Sequence, residues 1–248
     1  MVIQDGIQQT NAKICSFLII GQSNMAGRGD FDEVPPIKNK NCYMLRMGRW
    51  QPMTEPINPD RAIFGTPFHS GVCLAASFAD AYANTNGVKV GLIPCADGGT
   101  RISQWMPGEL LYDHAVMMAK LAMRTSRLCG ILWHQGESDC KDDESLAAHR
   151  EKLLTVMRSL RRDLGNENLP IIMGELSECI DTERWQVGDR PAKMNQAFRE
   201  VVEQLSPCAL VSAKDLALKE DGIHFNSAAL REFGLRYFDA YQRLENRK

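Results

Sequence analysis

The hydrophobic residues of this chain form short continuous runs, separated by longer stretches in which apolar residues recur at helical spacing. A continuous apolar run of this length is typical of a strand covered on both faces, and the spacing between runs is typical of amphipathic helices. Their alternation predicts a parallel sheet with helices on both sides. The predicted strands are 14–20, 88–94, 128–134, 170–174 and 208–212, and the predicted helices are 70–82, 109–126, 145–164, 191–205 and 227–244.

Five such strands joined by right-handed crossovers predict an α/β fold, a three-layer α/β/α sandwich of the flavodoxin-like type. Residues 27–67 break the alternation, because they are rich in Pro, Asn and Gly and contain one clear apolar piece, 42–45. We expect little regular structure there, and a second long loop at 178–190. Loops of this length in a compact domain are often functional. No repeat or domain boundary is visible, so 1–248 is predicted to be a single domain.

Composition and charge narrow the function classes. The chain has 248 residues, 44% hydrophobic and 24% charged, which is typical of a globular protein. The formal charge of -2 offers no basic field for nucleic acid or an anionic membrane, so neither is expected as a partner. The basic run 158–162 is interpreted as a solvated helix face. Residues 1–13 lack the apolar stretch of a secretory signal and 17–20 is too short to span a bilayer, so a cytoplasmic location is expected.

Cysteine spacing and glycine patterns argue against several cofactor classes. No Cys-x-x-Cys pair occurs, so zinc-ribbon and thioredoxin-like sites have no support, and no phosphate loop of P-loop or Rossmann spacing indicates a nucleotide site. We expect reduced thiols, several of them buried as small hydrophobes, and no metal or other cofactor. The cysteines are Cys15, Cys42, Cys73, Cys95, Cys129, Cys140, Cys179 and Cys208.

A serine, a histidine and a carboxylate follow predicted strands or precede the last helix, where ligands of open α/β sheets bind. Ser23 follows the first strand between glycines that suit a tight turn, and Asp221 precedes His224 by three residues. A serine nucleophile needs a base and a group that orients it, and these residues supply both. Taken singly, Ser23 is more often a helix N-cap and Asp221 a capping residue. Their joint presence favours catalysis.

Donors for a developing oxyanion are also present. The backbone N–H groups of Ser23 and Gly99 and the side-chain amide of Gln135 are the candidates. Glu137 has two open interpretations: it orients Gln135 or the Ser23 loop, or it replaces Asp221 as the acid that supports the histidine. We favour Asp221.

Three further residues flank this predicted site. Arg28 and Arg101 could bind polar groups of a substrate or pair with an acid, and Trp105 could stack on a sugar ring. Each is more often a loop or packing residue.

Four motifs resemble the SGNH hydrolase superfamily. Within it they resemble the branch of sialate O-acetylesterases and family 6 carbohydrate esterases, which includes acetyl xylan esterases. The motifs extend over nearly the whole predicted domain, and the first and third are specific. They are Gly-Gln-Ser-Asn-Met-Ala-Gly at 21–27, Gly-Gly-Thr at 98–100, Trp-His-Gln-Gly-Glu-Ser-Asp at 133–139 and Asp-Gly-Ile-His-Phe at 221–225.

The resemblance implies Ser23 as nucleophile, His224 as base, Asp221 as its orienter and Gly99 as a backbone oxyanion donor. It implies a carbohydrate O-acetylesterase acting on a small-molecule or oligosaccharide ester. Most superfamily members carry Gly-x-Asn-Asp in the third block, whereas this chain has Gln135, Gly136 and Glu137, so Gln135 would replace an asparagine donor. Two alternatives stay open: a lipase or thioesterase of the same superfamily, and an inactive carbohydrate-binding relative.

Overall fold

A seven-stranded sheet forms the centre of the computed structural model, which describes residues 14–59 and 69–246. Its strands are β1 (Ile14–Gly21), β2 (Cys42–Arg46), β3 (Arg49–Pro52), β4 (Lys89–Pro94), β5 (Ser126–His134), β6 (Ile171–Gly174) and β7 (Cys208–Val211). The spatial order is β3-β2-β4-β1-β5-β6-β7, and every neighbouring pair is parallel except the antiparallel pair β2–β3. The predicted parallel α/β sheet is therefore present.

Helices cover both faces of the sheet. They are α1 (Ser23–Ala26), α2 (Leu74–Asn86), α3 (Leu110–Met123), α4 (Asp143–Asp163), α5 (Thr182–Trp185), α6 (Arg190–Glu203) and α7 (Ser227–Glu245). Helices α2 and α7 share one hydrophobic core, and α3, α4 and α6 share the other. Side chains of β1 alternate between the cores, because successive strand residues point to opposite faces: Phe17 and Ile19 enter the first, Leu18 and Ile20 the second. The three-layer arrangement places β1 at the centre of the molecule.

The strand count corrects the expectation of five strands. Strands β2 and β3 arise from the segment 27–67, where little regular structure was predicted. They are joined by Met47 and Gly48, whose φ angles of 51° and 74° give the positive-φ two-residue turn typical of tight hairpins. Strand β3 is partly exposed along its length and contains no apolar run, so the hydrophobic pattern does not reveal it.

The basic run 158–162 also differs from its interpretation as a solvated face. Arg158 and Arg162 are exposed, but Arg161 is buried, with 4% of its surface accessible. Its guanidinium donates hydrogen bonds to the backbone carbonyls of Leu169, Leu205, Ser206 and Pro207. A buried cation is tolerated when its donors are satisfied, and here it ties α4 to the loop that precedes β7.

No helix in residues 14–59 or 69–246 combines the length and apolarity needed to cross a membrane. All eight cysteines lie within these ranges as free thiols, seven of them buried and Cys179 exposed. The N-terminal segment 1–13, on which the expected location depends, lies outside the described residues.

Candidate functional site

The site lies at the topological switch point of the sheet, where the order in which strands are added reverses. From β1 the chain continues to β2, β3 and β4 on one side, and then crosses to β5 on the other. The loops that follow β4, β1 and β5 therefore meet at one edge, beside the crevice in which open α/β sheets bind ligands. The segment that precedes α7 reaches the same edge. The helix starts at a capped position, where the Asn226 side chain accepts the backbone N–H of Ala229 at 2.8 Å.

A close approach of β1 and β5 fixes the turn that presents Ser23. Gly21 has a φ of 135°, and a Cβ at this position would lie 2.1 Å from the carbonyl oxygen of His134, so only glycine fits there. The backbone N–H of Gln22 donates to the same carbonyl at 2.8 Å. Ser23 then begins the four-residue helix α1 with 7% of its surface accessible.

Ser23, His224 and Asp221 are hydrogen-bonded in series. Ser23 Oγ lies 2.9 Å from Nε2 of His224, and Nδ1 of His224 lies 2.7 Å from Oδ2 of Asp221. The other carboxylate oxygen, Oδ1, accepts the backbone N–H groups of Ile223 and His224 at 3.0 and 2.9 Å. Burial opposes ionisation of Asp221, but these N–H groups and the imidazole outweigh it and hold its pKa below the ordinary value. The arrangement can move a proton from the hydroxyl to the ring.

Asn24 joins the serine loop to the histidine loop. Its Oδ1 accepts the backbone N–H of Phe225 at 3.1 Å, and its Nδ2 donates to the carbonyl of Ile223 at 3.2 Å. These two backbone groups lie immediately before and after His224. The side chain that follows the serine therefore fixes the backbone on both sides of the histidine.

Glu137 holds Asn24 rather than the histidine of the triad. Its Oε1 accepts from Asn24 Nδ2 at 2.6 Å and lies 3.2 Å from Nε2 of His134. Burial opposes ionisation of Glu137, but attraction to the His134 ring and the hydrogen bonds from His134 and Asn24 outweigh it, so its pKa lies below the ordinary value. Of the two acids that the sequence left open, the structure places Asp221 against His224. Glu137 supports the loops.

Gln135 does not reach the site, contrary to the expectation that its amide is an oxyanion donor. The residue is fully buried, and its Nε2 lies 2.6 Å from Asp139 Oδ2 and 3.0 Å from the carbonyl oxygen of Thr100. Its Oε1 lies 3.0 Å from Nε2 of His149. Both ends of the amide are thus committed inside the protein, where they tie the loop after β5 to the loop after β4.

Gln22 presents an amide that the sequence analysis did not single out. Its Oε1 lies 3.3 Å from Gln135 Nε2 and accepts the backbone N–H groups of Gly136 and Ser138 at 3.4 and 3.3 Å. With the oxygen fixed inward, the Nε2 end points away from these donors, and no acceptor for it occurs in the described part of the chain. Gln22 lines the pocket beside Ser23. The sequence shows that Gln22 directly precedes the serine, but it does not show which way the Gln22 amide points.

A pocket of about 220 Å³ opens over Ser23 and His224. Gly99 lines it, and within residues 14–59 and 69–246 the backbone N–H groups of Ser23 and Gly99 donate to no acceptor. Part of the wall is apolar. Trp185 and Val187 come from the predicted second long loop, which contains α5, and Ile223 comes from the histidine loop. No cluster of three or more metal-ligating side chains occurs among the residues described.

Of the three flanking residues, one lines the pocket and two do not. Arg28 lines the pocket, as expected, and its Nη1 donates to the carbonyl of Gly27 at 2.7 Å. Arg101 instead pairs with Asp142 at 3.1 Å, away from the pocket lining. Trp105 is buried, with 1% of its surface accessible, and its indole N–H is directed at Thr100 Oγ1. It cannot stack on a sugar, which corrects that expectation.

Ser23, His224 and Asp221 are thus hydrogen-bonded in series at the switch point of a three-layer sandwich, where open α/β sheets bind ligands. The family model described as "Carbohydrate esterase, sialic acid-specific acetylesterase" matches residues 13–243. The chain belongs to this carbohydrate esterase family, which confirms the resemblance found in its four motifs.

Three known proteins show how far the similarity extends. "Probable carbohydrate esterase At4g34215" of Arabidopsis thaliana is 33% identical in sequence, and the alignment covers 91% of this chain and 89% of the Arabidopsis protein. Its X-ray structure aligns with a TM-score of 0.81 over 93% of this chain and 98% of that one, at 29% identity in that alignment. NanS aligns with a TM-score of 0.76 at 16% identity, over 96% and 99% of the two chains. XAC1771, a carbohydrate acetylesterase from Xanthomonas citri, aligns at 0.68 and 17%, over 94% of this chain and 57% of that one. The last two establish similarity of fold.

Proposed function

We propose that this chain is a serine esterase that removes O-acetyl groups from carbohydrates through an acetyl-enzyme intermediate. The observation that carries the proposal is the continuous hydrogen-bonded series from Ser23 Oγ through the His224 ring to Asp221. Such a series supplies a nucleophile, a base and an orienting carboxylate. Membership of a carbohydrate esterase family supports the substrate class.

The reaction proceeds in two acyl transfers. In the first, the Ser23 proton moves to Nε2 of His224 while Oγ bonds to the acetyl carbon. The bond from that carbon to the sugar oxygen then breaks, and the sugar oxygen takes the proton from His224. In the second, His224 takes a proton from water, the water oxygen bonds to the acetyl carbon, and the bond to Ser23 Oγ breaks. Acetate leaves and Ser23 regains its proton.

The developing oxyanion is held by the backbone N–H groups of Ser23 and Gly99 and by the side-chain amide of Gln22. These donors border the pocket, and the two backbone groups bind no other acceptor in the described ranges. Gln22 takes the role that the sequence assigned to Gln135. Its amide is preorganised, because three N–H donors fix its oxygen before substrate binds.

Covalent labelling tests the nucleophile directly. A small fluorophosphonate should add one phosphonyl group per protein, with tandem mass spectrometry placing it on Ser23, because only an activated serine reacts readily. Heat-unfolded protein is the matched control and should not react. Labelling of another residue, or none in folded protein that releases acetate from an acetylated sugar, would contradict the proposed mechanism.

Substitution of Gln22 by glutamate tests the side-chain donor. Gln22→Glu retains an oxygen for the three N–H groups and removes the amide hydrogens, so we expect kcat to fall by about a hundred- to a thousandfold with little change in KM. Steady-state kinetics on an acetyl ester, with the melting temperature as a folding check, measures this. A loss of less than about threefold in a folded variant would remove Gln22 from the oxyanion site.

A further inference from the structure

A second cavity adjoins the first at the histidine. It has a volume of about 580 Å³, and Arg28 and His224 line both cavities. Ser23 lines only the smaller one, whereas Asp221 lines only the larger. The imidazole therefore stands at the junction of two spaces that differ in size and chemistry.

The proposed reaction assigns one half of the ester to each space. The carbonyl oxygen must lie beside the donors Ser23 N–H, Gly99 N–H and Gln22, all of which border the smaller pocket. The alcohol oxygen must receive a proton from Nε2 of His224 as it leaves, so the alcohol lies beside the imidazole. The larger cavity is lined by the same ring and offers room next to it.

The larger cavity has the surface that a sugar ring needs. Phe31 lines it with 52% of its surface exposed, although most phenylalanines of the described ranges are buried. A sugar presents a face of C–H groups that packs against an aromatic ring, and hydroxyls around its edge that need hydrogen-bond partners. Asp32 lines the same cavity, and no hydrogen bond or ion pair engages its carboxylate within the described residues. Lys219 adds a cation, which pairs with Asp30 at 2.8 Å.

We infer that the larger cavity binds the carbohydrate leaving group, with the Phe31 ring as its stacking surface and the Asp32 carboxylate as an acceptor for its hydroxyls, while the smaller pocket holds the acetyl group. The inference rests on the proposed esterase reaction. Phe31, and not the buried Trp105, is therefore the aromatic residue that we assign to stacking on the sugar.

Selectivity between two esters tests the assignment. An O-acetylated methyl xyloside contains the sugar, and ethyl acetate has the same acyl group without it. Phe31→Ala should lower the ratio of kcat/KM for the sugar ester to kcat/KM for ethyl acetate by about tenfold, mainly through KM of the sugar ester. Phe31→Trp should restore it, because the ring is retained. Asp32→Ala should lower the ratio by about fivefold, and Asp32→Asn, which keeps an acceptor oxygen, should lower it less.

Two further variants make the outcome decisive. Leu110→Ala removes an exposed apolar side chain that borders neither cavity, and its ratio should equal that of the unaltered protein. Trp185→Phe alters an aromatic of the smaller pocket. If Trp185→Phe changes the ratio and Phe31→Ala does not, the sugar lies in the smaller pocket and the inference is overturned. An unchanged ratio in both variants also overturns it.

A binding measurement separates this inference from the esterase proposal. Ligand-observed NMR of methyl xyloside with the Ser23→Ala protein requires no turnover. Binding that weakens about tenfold in the Ser23→Ala, Phe31→Ala double variant supports the sugar subsite even if neither ester is hydrolysed, in which case only the proposed reaction fails. Equal binding by the two proteins counts against the subsite whatever the catalytic result.

Discussion

Replacing Ser23 with alanine should lower kcat for an acetyl ester by about a millionfold, to the residual rate that binding and oxyanion donors sustain in serine hydrolases. In the proposed reaction the hydroxyl forms the acetyl-enzyme, and in the described part of the chain the hydrogen-bond partners of the His224 ring are Ser23 Oγ and Asp221. KM should change little, because the donors and both cavities remain. Acetate release measured over hours, with enzyme in excess, would quantify the loss.

The structure indicates that this variant folds. Among the residues that the structure describes, Ser23 Oγ is hydrogen-bonded to His224 alone, so removing it leaves no partner unsatisfied beyond a partly exposed ring. Ser103→Ala removes an exposed hydroxyl from the segment 102–105 and is the matched control, expected to retain full activity. Near-normal turnover by Ser23→Ala would rule out the serine mechanism.

Replacing Asp221 with asparagine should lower kcat by about ten thousandfold, the loss seen when the orienting acid of a Ser-His-Asp site becomes an amide. Asparagine can present its NH2 group to Nδ1 of His224, which leaves the proton on Nε2 and removes the base. The ionised carboxylate also stabilises the fold. This contribution is fully present above the ordinary pKa of an aspartate and is lost as the pH falls from there through the lowered pKa of Asp221. The pH profile of kcat/KM measures the loss of the basic group.

Glu137→Gln is the contrasting substitution. Glutamine keeps an oxygen for Asn24 and leaves the contact between His224 and Asp221 in place, so we expect a far smaller loss of kcat and a pH profile of unchanged shape. Melting temperature should fall, because the charge that attracts His134 is removed. The reverse pattern, with Glu137→Gln abolishing the basic limb and Asp221→Asn retaining it, would identify Glu137 as the supporting acid.

The central strands could be predicted because a strand buried on both faces has a continuous apolar run, which is visible in the sequence. Each of the five predicted strands overlaps an observed one, and the five helices overlap α2, α3, α4, α6 and α7. Strand β3 was missed because this edge strand is held by backbone pairing and a two-residue turn, and neither requires an apolar run. Strand β2 coincides with the apolar piece 42–45, which lies in a segment whose Pro, Asn and Gly content favoured a loop. Arg161 was missed because its carbonyl partners come from two segments that only the folded chain brings to it, Leu169 before β6 and residues 205–207 before β7.

The same distinction applies to the site, where local features could be predicted and contacts between loops could not. The loops that carry Ser23, Asp221 and His224 were predictable, since strand ends and residue types are local properties. The direction of an amide is not local. Gln22 and Gln135 both follow central strands, and only the folded loops decide that the first faces the pocket and the second faces Asp139.

The amide of Asn24 has a consequence for how the reacting groups stay in register. The Asn24 side chain hydrogen-bonds to the backbone on both sides of His224, so a shift of the serine turn also shifts the imidazole. The proposed nucleophile and base are therefore held together by backbone contacts as well as by the 2.9 Å approach of their side chains. Under the proposed mechanism, an arriving ester would meet a pair whose alignment was completed during folding.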